Sequence, residues 1–117
     1  MEFKDLVGKM LTKIIVSEDK DEISFIDSEG NMYKMYHVQD CCESVSVEDI
    51  NGDLNDLLNT PILAAAESSS SSEYNESSTW TFYNLATSKG YVTIRWYGNS
   101  NGYYSESVSF GEIKKHF

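Results

Sequence analysis

His37, Asp40, Cys41, Cys42 and Glu43 form the densest group of reactive side chains in the sequence. Metal ligation is the first chemistry such a group suggests. Structural zinc, however, takes cysteines two to four residues apart plus a second ligand pair, whereas Cys41 and Cys42 are adjacent and the only other histidine is His116. A Cys–His nucleophile would need an oxyanion hole and an orienting group, and nothing in the sequence marks either. A metal-binding or enzymatic protein built on His37, Cys41 and Cys42 therefore ranks last, behind packed thiols and a hydrogen-bonded histidine. Asp49, Asn51 and Asp53 imitate the start of a calcium loop, but Leu54 stands where glycine is needed and Thr60 where a bidentate glutamate belongs. Capping of a following helical turn by Asn51 explains them better. With no phosphate-binding glycine loop, nucleophile elbow or zinc-protease motif, the expectation is a protein that is not an enzyme and takes no cofactor.

Arg95 is the only arginine, and it shares an alternating run with Tyr97. A guanidinium between aromatic rings can stack on a planar group and hydrogen-bond an anionic one. Arg95, Tyr97 and Tyr103, joined by His37, Asp40 and Glu43, thus make a candidate pocket for an anionic signalling nucleotide. The plainer reading is that Arg95 neutralises a nearby carboxylate while the tyrosines cover a sheet face.

Charge supplies the other candidate. The chain carries a net charge of −10, and residues up to Thr60 hold fourteen acidic against five basic side chains. Such a surface repels nucleic acid. Glu18, Asp19, Asp21, Glu22, Glu48, Asp49 and Asp53 could instead occupy the basic groove of a nucleic-acid-binding protein as a nucleic-acid mimic. Their carboxylates would replace phosphates, and affinity would fall as salt rises. Plain solubility is the competing explanation.

These groups must be held by a chain of 117 residues with 40% hydrophobic content, enough for one core. A single domain over 1–117 is expected. Aromatic and β-branched residues in short alternating runs, with one proline, point to a mainly β (α+β), single antiparallel sheet-based domain with a meander and a C-terminal hairpin. Met10 to Val16, Glu22 to Ser28 and Asn31 to Val38 read as a meander, and Ser44 to Glu48 as a further strand. Phe3, Leu6 and Val7 suggest one short helical turn, and Leu54, Leu57 and Leu58 a second. Ile62 to Ala66 can pair as a strand, whereas Glu67 to Ser78, almost devoid of apolar side chains, reads as a flexible serine-rich loop. Strands over Thr79 to Ala86, Tyr91 to Tyr97 and Tyr103 to Ser109 follow. The last two are expected to form a hairpin with Tyr97 facing Tyr103, turning Val92, Ile94, Trp96, Tyr104, Val108 and Phe110 inward. The absence of a long apolar run or signal peptide, together with the adjacent cysteines, predicts a soluble cytoplasmic protein.

The strings YKMYHVQDCCESV at 33–45 and YVTIRWYGNSNGYYS at 91–105 resemble an uncharacterised family of small acidic bacteriophage and prophage proteins. The likeness runs from Leu6 to about Phe110, through EDINGDL at 48–54, with a variable acidic or serine-rich loop at 67–78. The resemblance implies a phage setting and the host bacterial cytoplasm, and it transfers no catalytic residue. By analogy, small acidic phage proteins without enzyme signatures are often counter-defence proteins. The expected function is a non-enzymatic, anti-CRISPR-like inhibitor that binds a basic bacterial defence protein such as a CRISPR effector. The alternative is a sponge for an anionic nucleotide.

Overall fold

Alternating burial along the strands builds two sheets that share one core. A computed structural model describes residues 2–37, 44–74, 76–100 and 108–113. β1 (Leu11–Val16), β2 (Glu22–Asp27), β3 (Met32–Tyr36) and β8 (Ser109–Ile113) form one antiparallel sheet in the order β1-β2-β3-β8. β4 (Ser44–Asn51), β7 (Tyr91–Ser100), β6 (Glu76–Ala86) and β5 (Ala64–Tyr74) form the second, in the order β4-β7-β6-β5. Ile23 and Phe25 of β2, Tyr33 and Met35 of β3, Tyr83 and Leu85 of β6, and Val92, Ile94 and Trp96 of β7 meet in a single hydrophobic cluster. Two 3-10 turns, Phe3–Leu6 and Leu54–Leu57, press Phe3, Leu6 and Leu57 into it. No helix among the described residues is long and apolar enough to cross a membrane.

Asp27 organises the β2–β3 connection. Its carboxylate accepts from the backbone amides of Glu29 (3.0 Å) and Asn31 (2.9 Å), from Asn31 Nδ2 (3.3 Å) and from the Tyr33 hydroxyl (2.9 Å). At the end of β4, Gly52 has φ +115°, and a Cβ there would stand 2.6 Å from the Tyr91 carbonyl oxygen, so only glycine lets the chain leave β4 this close to β7.

The mainly β class, the antiparallel sheets and the opening meander are as expected. The strands divide between two antiparallel sheets. Both edges of β7 that the expected hairpin of 91–97 with 103–109 needs are taken, by β4 on one side and β6 on the other, and Ser109 pairs with Tyr36 of β3, while 103–107, with the expected inward Tyr104, lie outside the described residues. Val92, Ile94 and Trp96 point inward as expected, and Val108 and Phe110 pack against the same core. The described residues of the serine-rich segment, 67–74 and 76–78, are strand rather than the expected loop, with β5 and β6 paired in regular register from Ala64 and Ala86 to Tyr74 and Glu76. A ladder of backbone hydrogen bonds needs no apolar side chains on the strand that joins it, so composition alone hid it.

Candidate functional site

The first candidate is an acidic corner. Ser17 and Asp21 close the β1–β2 turn: the Ser17 hydroxyl donates to Asp21 Oδ1 at 2.8 Å and accepts from the amides of Asp21 and Glu22 at 3.1 and 3.0 Å. Lys20, at φ 59°, turns its carbonyl outward, where it accepts from the amide of Val47 at 2.7 Å. That bond ties the turn to β4 at the bulge between Val47 and Asp49. Exposed Glu18, Asp19 and Asp21 are thereby brought to the same corner as exposed Glu48 and Asp49. A depression of about 170 Å³ lies between them, lined by Val16, Lys20, Val47, Glu48, Asp49 and Ile50.

Two of the expected acidic residues are engaged elsewhere. Glu22 pairs with Lys34 at 2.9 Å within the first sheet. Asp53, not Asn51, caps the second 3-10 turn, accepting from the Asn55 amide at 2.9 Å, while Asn51 ends β4.

The second candidate is the face of the β4-β7-β6-β5 sheet turned away from the core. Cross-strand register sets Arg95 between Asp49 and Phe82, and Tyr97 beside Trp80. The Trp80 and Tyr97 rings lie 4.4 Å apart at 51°, and the Arg95 guanidinium carbon is 5.0 Å from the Trp80 ring centroid. Arg95 Nη2 reaches Asp49 Oδ2 only at 3.9 Å, the long limit of an ion pair, and its Nε is buried without a hydrogen-bond partner among the described residues. The guanidinium is thus held on an aromatic surface with unspent donor capacity, which suits a planar or anionic group. Thr93 donates to Asn84 Oδ1 at 2.9 Å and closes one end of this face.

Trp80 and Phe82 were not among the expected site residues. Their signal lies in TWTFYNLA at 79–86, where Trp80 and Phe82 are apolar on one parity and Tyr83 and Leu85 on the other, the mark of a strand with two apolar faces. His37 follows β3 in the other sheet and is half-buried, so it belongs to a different layer from the Arg95 face. Asp40, Cys41, Cys42, Glu43 and Tyr103 lie outside the described residues. Among the described residues, no three His, Cys, Asp or Glu side chains gather closely enough to hold a metal ion.

Two packed antiparallel sheets with an acidic corner at one end of β4 and an aromatic, arginine-bearing outer face define a small two-sheet β protein that presents surfaces. Residues 4–110 match DUF7448, a domain of unknown function, and the chain belongs to that family. No curated protein and no solved structure matches the chain.

Proposed function

We propose that this protein is a non-enzymatic, phage-type counter-defence protein that acts in the bacterial cytoplasm by placing its acidic corner on the basic surface of a defence protein, such as a CRISPR effector. The observation that carries the reading is the bond from the Val47 amide to the Lys20 carbonyl, which unites two acidic segments far apart in sequence. Carboxylates gathered this way offer the spaced negative charge with which a nucleic-acid groove normally meets phosphates. A second reading, sequestration of an anionic nucleotide, is favoured by the incompletely bonded Arg95 stacked on Trp80.

Affinity capture from phage-infected cells, read by mass spectrometry for proteins and small molecules, is the first experiment. The captured partner is then titrated with two variant sets. Glu18→Gln, Asp19→Asn and Glu48→Gln together are expected to weaken protein binding at least tenfold and to flatten its salt dependence, because the lost contacts are those that salt screens. Asp49 is left intact so that Arg95 keeps its neighbour. Arg95→Ala and Trp80→Ala should leave that binding unchanged. A bound nucleotide, lost in the Arg95 and Trp80 variants and kept in the acidic ones, would replace this reading with the second.

A further inference from the structure

Of the four strands at the sheet edges, three carry a feature that discourages a further strand from pairing. β1 is bulged between Leu11 and Lys13 and presents exposed Lys13. β4 is bulged between Val47 and Asp49, has its Val47 amide taken by the Lys20 carbonyl, and carries exposed Glu48 and Asp49. β8 has only five residues. Bulges, charge and brevity are the usual means by which an open edge is kept from pairing. β5 lacks the bulge and the brevity: it runs for eleven residues without proline or lysine, in unbroken register with β6, and its charges are Glu67 and Glu73 alone. Ala66, Glu67, Ser68, Ser69 and Ser70 are all exposed. Among the described residues, no turn, loop or cap hydrogen bond reaches the β5 backbone.

The direction of the free backbone groups follows from the β6–β7 hairpin. The Thr87 amide donates to the Gly90 carbonyl at 2.9 Å, and Ala86 faces Tyr91 in the same register. Bonded and non-bonded pairs alternate along an antiparallel ladder. Leu85, Tyr83 and Thr81 therefore turn their N–H and C=O groups to β7, whereas Ala86, Asn84, Phe82 and Trp80 turn theirs to β5. Their partners Ala64, Ala66, Ser68 and Ser70 are thereby bonded to β6. The amides and carbonyls of Ala65, Glu67, Ser69 and Ser71 face outward, where no described strand receives them.

We propose that β5 pairs antiparallel with β5 of a second copy of this chain, joining two four-stranded sheets into one. Backbone hydrogen bonds carry such a contact. A two-fold axis through Ser69 makes it self-complementary: Ser69 stands opposite itself, Glu67 opposite Ser71, and Glu73 opposite Ala65, so that no two carboxylates face each other. Charge selects the occupant. The acidic corner lies on β4, at the opposite edge of the same sheet, so two copies joined at β5 keep their most negative surfaces at the far ends. A basic partner is drawn to that corner, whereas residues 64–72 carry the single charge of Glu67 and suit a strand as neutral as themselves. The contact is separate from the acidic corner and from the Arg95 face, and it stands or falls without them.

The test is sedimentation velocity of the full chain. The dimer is expected to grow with concentration and also with salt, because each copy carries a net charge of −10 and salt screens the repulsion between them. Ser69→Pro deletes an outward amide and spares the β6 ladder, so it should weaken the dimer at least tenfold in a chain shown by circular dichroism to be folded. Ser69→Ala keeps the amide and should leave dimerisation unchanged. Hydrogen exchange of the wild type gives a reading that needs no variant: raising the concentration should slow exchange at the Glu67, Ser69 and Ser71 amides, while those of Ser68 and Ser70 are slow throughout. A chain that stays monomeric at millimolar concentration, a dimer equally tight in Ser69→Pro or equally lost in Ser69→Ala, or one whose Glu67, Ser69 and Ser71 amides still exchange freely would overturn the proposal.

Discussion

Trp96→Ala is expected to cost about 3 to 5 kcal/mol of stability, the range for removing a fully buried large aromatic side chain. Trp96 is completely buried in β7, the strand that joins β4 to β6, and its cross-strand neighbours are Val47 and Thr81. The bulge next to Val47 carries the acidic corner, so a void at Trp96 sits directly beneath one wall of the proposed binding surface. Domains of this size have only about 5 to 15 kcal/mol in total, so the variant should lose much of its margin. The indole N–H finds no hydrogen-bond partner among the described residues, so the loss is one of volume and apolar contact. Trp96→Phe, which restores most of the volume, is accordingly expected to cost much less. Urea unfolding followed by circular dichroism separates the outcomes: equal losses for the two variants would show that volume is not what Trp96 contributes.

The second large effect belongs to Asp27. Asp27→Ala removes four hydrogen bonds to one carboxylate and leaves the buried Tyr33 hydroxyl without its acceptor, for an expected loss of about 2 to 4 kcal/mol. The same site predicts a pH dependence. Burial acts to raise the Asp27 pKa, yet the bonds from Asn31, Tyr33 and Glu29 together outweigh it and hold the carboxyl below its ordinary value of 3.8. A depressed folded-state pKa means that the unfolded chain takes up the proton first on acidification. The stabilisation is therefore fully present above the unfolded value and is lost as pH falls through the folded one. Unfolding free energies of the wild type and Asp27→Asn, measured from pH 6 downward, should converge in the acid range as this contribution disappears from the wild type. A gap that stays constant with pH would show that the carboxylate charge plays no part.

How much of this was legible beforehand is clearest strand by strand. In β2, β3 and β7 the apolar residues recur at every second position, and each such run buries the face it announces, from Ile23 and Phe25 to Ile94 and Trp96. β5 carries no such pattern. Its place is dictated by β6, whose Tyr83 and Leu85 are buried on one side while Trp80 and Phe82 take the other, and a partner of that kind can order serines through its backbone alone. The neighbours of β7 were illegible for a related reason. Apolar faces of 91–97 and 103–109 can be matched in register, yet matching does not reveal whether both edges of β7 are already taken by β4 and β6.

The candidate sites divide in the same way. The amino-acid sequence by itself determined the β class, the inward faces of the alternating strands, the excess of negative charge before Thr60 and the singularity of Arg95, because these depend on residue type and local period. Tertiary structure alone decided that Glu18, Asp19 and Asp21 meet Glu48 and Asp49, that Glu22 and Asp53 are drawn off into a salt bridge and a cap, and that Trp80 rather than a neighbour on its own strand lies beneath Arg95. Each of those outcomes turns on a contact between segments distant along the chain. Such a contact forms when the two sheets close over their common core and hold a backbone carbonyl at Lys20 within reach of an amide at Val47.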